Sequence, residues 1–140
     1  MNGFLLATNV ISELIKPRPD ENVLRWIAQI DEALLFLSVL TLGEIRYGIE
    51  KLNPGKRRGR LESWLAGDLR LRFQERILII DDGIAQRWGA LSATAARRGR
   101  PVPVIDGLLA ATALHHDLML VTRDDGDVSG TGVPLLDPWQ

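Results

Sequence analysis

The stretch Phe4-Leu5-Leu6-Ala7-Thr8-Asn9-Val10-Ile11-Ser12-Glu13 constrains this chain more than any other. Phe4 to Leu6 is an apolar run too short for a helix and suited to a buried strand. Thr8 and Asn9 are helix-capping residue types, and Val10, Ile11, Leu14 and Ile15 have the spacing of an amphipathic helix. A strand therefore runs directly into a helix. In open α/β sheets ligands sit beyond the carboxyl ends of the strands, where the N–H groups of the following helix also point. This places a site at residues 7 to 9, yet Ala7 puts a bare methyl where such a site calls for a charged group.

The rest of the chain repeats that alternation. Lys16-Pro17-Arg18-Pro19 ends the first helix, because proline cannot continue one and pushes its predecessor toward extended geometry. Asp20 is placed to cap a second helix carrying Val23, Leu24, Ile27 and Ile30, with Trp26 alongside. Leu34 to Val39 is apolar throughout, as expected of a parallel strand covered on both faces. Thr41 to Leu52 follows as a helix, stopped by Asn53-Pro54-Gly55. Residues 56–75 are arginine-rich, with Leu61, Trp64, Leu65 and Leu69 on one face of an exposed or partner-facing helix or helix pair. A third strand is expected over Ile77 to Ile80, then a helix capped by Asp81 or Asp82 and running to about Arg98. Val104 to His115 forms a helix rich in small residues, Leu118 to Val121 a fourth strand and Val133 to Leu136 a short fifth. The pattern predicts an α/β sandwich with a mainly parallel central sheet.

Composition narrows the function. The chain has 140 residues, enough for one domain, and no cysteine, which excludes disulfides and thiolate metal sites and suits a reducing, cytoplasmic setting. No secretory leader or membrane-length apolar segment is expected. A net charge of −1 supplies no global attraction to nucleic acid. Binding would have to come from local clusters such as Lys56-Arg57-Arg58 with Arg60, or Arg97-Arg98 with Arg100.

Three acids recur at equivalent places: Glu44 one turn beyond the second strand, Asp106 opening the small-residue helix, and Asp124 just past the fourth strand. Each alone has a structural explanation. Thr41 with Glu44 fits a capping box, Asp106 would favour a helix dipole, and Asp124 could be a solvated turn residue. Together they would converge at the edge where parallel strands end. Clustered carboxylates repel and stay ionised mainly when a cation neutralises them; oxygen ligands without cysteine point to Mg²⁺ or Mn²⁺. Such an ion can activate water and stabilise in-line displacement at a phosphodiester. His115 and His116 lie at the far end of their helix from Asp106 and are read as surface or packing residues.

Four segments, in order, resemble the PIN-domain family, and within it the VapC-type toxins of bacterial toxin-antitoxin pairs. They are residues 4–13, Ser38 to Ile45, Ile105 to Ala113, and Leu120 to Asp124 continuing through Asp127 to Gly130-Thr131-Gly132-Val133. The resemblance implies a PIN-like three-layer α/β sandwich spanning residues 1–140, with a mainly parallel sheet of four to five strands flanked by helices. It also implies an Mg²⁺- or Mn²⁺-dependent endoribonuclease acting on RNA, a homodimer, and a cognate VapB-type antitoxin whose tail covers the site. By position, Glu44 and Asp106 match the family's second and third acids, Asp124 or Asp127 or both serve as the fourth, and Thr8, Asn9 and Thr122 match polar residues that brace the site or meet a phosphate. The antitoxin tail is expected near Trp26 and Trp64, with an arginine reaching Asp106.

Ala7 departs from the pattern, which has aspartate before Thr-Asn. Losing even a group behind the ligands costs about 10- to 100-fold in affinity or activity. The chain is thus expected to be a disabled nuclease, altered deliberately or naturally inactive. A competing reading is a module that binds antitoxin or RNA without cleaving. A phosphoacceptor domain, suggested by Asp81 and Asp82, fails on order: Ala7-Thr8 and Arg123 stand where an acidic pair and a lysine are needed.

Overall fold

Five short parallel strands form the centre of the computed structural model, which describes residues 1–140. They are β1 (Phe4–Leu6), β2 (Leu35–Ser38), β3 (Ile77–Leu78), β4 (Met119–Val121) and β5 (Leu135–Leu136), in the order β3-β2-β1-β4-β5. The order proceeds from β1 to β2 on one side and to β4 on the other, with Leu6 level with Val121. The carboxyl ends of β1 and β4 therefore flank a topological switch point, where open α/β sheets hold their ligands. The predicted α/β class and parallel sheet are present.

Successive strand residues face opposite sides, which divides the core in two. Leu6, Leu35, Leu37 and Val121 pack with Val10, Ile11, Val23, Ile45 and Phe73, while Leu5 and Leu120 pack with Leu109, Ala110, Ala113 and Val133. Helices α1 (Thr8–Leu14), α2 (Glu21–Gln29), α3 (Val39–Glu50) and the arm beginning with α4 (Lys56–Ser63) are threaded between β1 and β3. That arm continues through a π-type turn at Trp64–Asp68 into α5 (Leu69–Arg72), burying Leu65, Leu69 and Phe73. Arg58 pairs with Glu50 and Glu62, so part of the basic cluster is neutralised within the fold. Helices α6 (Asp82–Arg97) and α7 (Val104–His116) precede β4, and α8 (Asp125–Val128) lies between β4 and β5. None of the helices is long and apolar enough to cross a membrane.

Local differences from the sequence reading concern where helices begin and strands end. Asp20 caps α2 by accepting from the Asn22 and Val23 amides, and Asp81 caps α6 by accepting from Ile84 N at 2.9 Å. Neither Thr8 nor Asn9 caps α1: the capping position is Ala7, which has no side chain to accept. Helix α3 starts at Val39, directly after β2, with the Ser38 hydroxyl accepting from Leu40 N at 3.0 Å. Thr41 therefore lies inside the helix, and no capping box forms with Glu44. Strand β3 stops at Leu78 because it lies at the sheet edge, and Ile79 is 66% exposed. Leu24, expected in the buried stripe of α2, is exposed instead.

Candidate active site

The chain enters the switch point at Ala7, whose amide donates to Val121 O at 2.9 Å and locks the end of β1 to β4. Ala7 is 5% exposed and lines a pocket of about 360 Å³ together with Thr8, Asn9, Glu44, Asp124 and Trp139. One turn into α3, Glu44 faces this pocket. The Thr8 hydroxyl lies 2.6 Å from Glu44 Oε1 and 3.0 Å from Thr41 Oγ1. Its single proton serves the carboxylate, the stronger acceptor, and fixes the Glu44 rotamer.

Opposite, Asn9 Nδ2 donates to Thr122 Oγ1 at 3.2 Å and to Asp124 Oδ2 at 3.1 Å. Thr122 Oγ1 also accepts from Asp124 N at 3.0 Å, which folds the segment after β4 into a tight turn. Asn9 thus ties α1 to the β4 turn and orients Asp124. Its own Oδ1 is buried without a partner, an acceptor left for something the protein does not supply.

Asp106 lies in the first turn of α7 and is half-buried. Burial, followed by the charges of Asp127, Asp124 and Glu44, holds its carboxyl above the usual carboxylate range. All four acids therefore share one electrostatic field, with Ala7 at the pocket wall beside Glu44 and Asp124. No three of the acidic and histidine side chains are close enough to enclose an ion. The donor set, all oxygen and mutually repelling, has the chemistry of a hard divalent cation, and the unpartnered Asn9 Oδ1 adds a further acceptor. His115 packs against Gly83 and His116, outside this set.

Sequence reasoning missed two contributors. Trp139, near the carboxyl end of the sequence, reaches the same pocket, and the Arg123 guanidinium lies over its ring at 5.1 Å from the centroid. No local pattern marks this return. Glu13 is the second, buried at the pocket floor, where it accepts from Lys16 Nζ and Asp20 N, each at 2.8 Å. Those bonds hold its carboxyl below the usual range.

The PIN domain family matches residues 4–128, nearly the whole of this arrangement. This chain is a VapC-type PIN-domain protein. "VapC ribonuclease Y4jK" of Sinorhizobium fredii is 38% identical over 97% of each chain. The crystal structure of FitAcB from Neisseria gonorrhoeae matches with a TM-score of 0.93 at 34% identity, covering 98% of this chain and 99% of that one. VapBC-5 of Mycobacterium tuberculosis, described as a member of the VapBC family of toxin-antitoxin systems, matches with a TM-score of 0.65 at 25% identity over 97% of each chain. In this PIN-domain protein, residue 7 of the pocket is alanine.

Proposed function

We propose that this chain is the toxin of a toxin-antitoxin pair, built as an Mg²⁺- or Mn²⁺-dependent endoribonuclease and strongly weakened at residue 7. One observation carries the reading: Glu44 and Asp124 share the pocket at the switch point with Ala7, braced by Thr8, Asn9 and Thr122, and their charges, with that of Asp127, act on Asp106. The names of the ribonuclease and toxin-antitoxin relatives support the reaction class. Ala7 stands where the family pattern places its first aspartate, and its burial in the pocket wall makes it the gap in the ligand set.

Asp106, Glu44 and Asp124, with Asp127 alongside, would hold the ion. When bound, a divalent cation supplies a Lewis acid for the phosphodiester and a more acidic water. The protein's own groups prepare for this. Thr8 keeps the Glu44 carboxylate aimed inward, and Asn9 and Thr122 keep Asp124 in place.

Partners follow from the same reading. The substrate is RNA, and the setting is the cytoplasm. A cognate VapB-type antitoxin lays its tail along the groove of about 230 Å³ lined by Ile11, Leu14, Ile15, Trp64 and Phe73. Trp26, the other tryptophan expected there, is turned edge-on to Phe4 at 5.2 Å and closes the neighbouring side of α2. The exposed small residues Gly89, Ala90, Ala93 and Ala96 on α6 give a second copy room to approach and form a homodimer.

A second reading is favoured by the open ligand set: a module that binds antitoxin or RNA without cutting. Ala7→Asp separates the two. We expect the variant to cleave RNA with Mg²⁺ or Mn²⁺ and to stop in EDTA. Intact RNA under every condition, with antitoxin or RNA binding preserved, would select the non-catalytic reading.

A further inference from the structure

The pocket is lined by residues of opposite character, Glu44 and Asp124 as well as Lys16, Arg123 and Trp139. Lys16 is already neutralised by Glu13 at 2.8 Å, whereas Arg123 makes no ion pair and is exposed. We propose that Arg123, held over the Trp139 ring, is a stacking platform that seats one base of single-stranded RNA beside Glu44 and Asp124, an assignment that rests on the ribonuclease reading above.

The geometry is prearranged. Trp139 is held by its backbone: its N–H donates to Asp137 Oδ1 at 2.9 Å and its carbonyl accepts from Asn22 Nδ2 at 2.8 Å. The indole packs against the core and carries the Arg123 guanidinium on its ring. The guanidinium thus has the ring on one side and, being exposed, is reachable from solvent. Bases stack on guanidinium planes as they do on aromatic rings, and unpaired RNA is the nucleic acid whose bases are free to do so. The charge that remains on Arg123 attracts the adjoining phosphate. A volume of about 360 Å³ suits one nucleotide, not a duplex. The lining is polar apart from Ala7 and Trp139, which disfavours an apolar peptide side chain. Arg123 would touch the base, and Trp139 would position it.

The chain as it stands allows the test, because binding can be measured without cleavage. The probe is a short unstructured RNA oligonucleotide at fixed ionic strength. Arg123→Lys keeps the charge and removes the plane. We expect it to weaken binding by about 5-fold or more, within the range of one stacked base. Trp139→Phe should stay within about twofold of the parent, and Trp139→Ala should fall to the level of Arg123→Lys. In the Ala7→Asp background the same substitutions should raise KM with little change in kcat. An Arg123→Lys protein that binds RNA like the parent would overturn the proposal, since charge alone would then suffice; this variant does not depend on tolerance of change at Trp139. Loss of antitoxin binding with RNA binding intact would overturn it too, by making the platform a protein contact. If Ala7→Asp cleaves while Arg123→Lys leaves KM unchanged, the ribonuclease reading stands and the platform falls. If Ala7→Asp never cleaves but Arg123→Lys still weakens RNA binding, the platform stands and the cleavage reading falls.

Discussion

Restoring a carboxylate at residue 7 acts on stability and on metal affinity at once, and the two effects can be worked separately. Ala7 is the capping residue of α1, with extended backbone angles (φ −70°, ψ 163°) and no side-chain acceptor. Ala7→Asp supplies an acceptor for the first-turn amides, worth about 1 kcal/mol. It also adds a charge at a position 5% exposed, in a pocket with Glu44 and Asp124 and in the field that already raises Asp106. In EDTA this repulsion offsets the cap, so the variant should melt close to or below the parent. With a divalent cation the sign changes. A gain of about 10- to 100-fold in affinity adds about 1.4–2.7 kcal/mol at saturation, or about 4–9 °C in Tm for a chain of this size. Thermal unfolding followed by circular dichroism, in EDTA and in Mg²⁺ or Mn²⁺, reads the difference. Equal metal-induced shifts in the parent and Ala7→Asp would refute the reasoning, because residue 7 would then not belong to the ion site.

Other perturbations test neighbouring steps. The folded protein holds the Asp106 carboxyl above its ordinary 3.8, so its protonated form is favoured on folding and stability is lost as pH rises through the folded value. Asp106→Asn should therefore raise the metal-free Tm at neutral pH and leave it unchanged below pH 3.8; a neutral-pH decrease in EDTA would contradict the shared field. Glu13 has the opposite sign. Its carboxyl is held below the ordinary 4.5, so its contribution is present above that value and lost as the solution is acidified through the folded one, and Glu13→Gln should flatten the acid limb of a Tm-versus-pH curve. A Cβ at Gly107 would lie 3.1 Å from Trp88 Cδ1 and Nε1, so Gly107→Ala should displace the Trp88 side chain that packs α6 on α7. Overpacking of about 1–3 kcal/mol should exceed the gain of about 1 kcal/mol in helix propensity, giving a lower Tm in chemical or thermal melts.

The fold was legible where one local signal sufficed. Apolar runs located all five strands, and Asp20 and Asp81 announced their helices because a carboxylate before an apolar stripe has few other local uses. Boundaries failed where tertiary context decided. Ser38 looks like a strand residue, yet the chain turns into α3 without a loop, which moves Thr41 into the helix and frees Glu44 to meet Thr8, thirty-six positions away in sequence. For the site, Glu44, Asp124 and the polar residues that hold them could be named because each follows a strand, and Asp106 because it opens a helix. Trp139 could not, since its partners Asn22 and Arg123 meet it only where the chain leaves β5, and nothing near it in sequence encodes that.

The most direct test is the position of Mn²⁺ in crystals of the Ala7→Asp protein, read from its anomalous scattering. The account predicts one peak or a close pair bounded by the new carboxylate and those of Asp106 and Glu44 or Asp124, at oxygen-ligand distances of about 2.0–2.5 Å. Saturating Mn²⁺ with no peak in that pocket, or a peak held only by residues elsewhere, would contradict it.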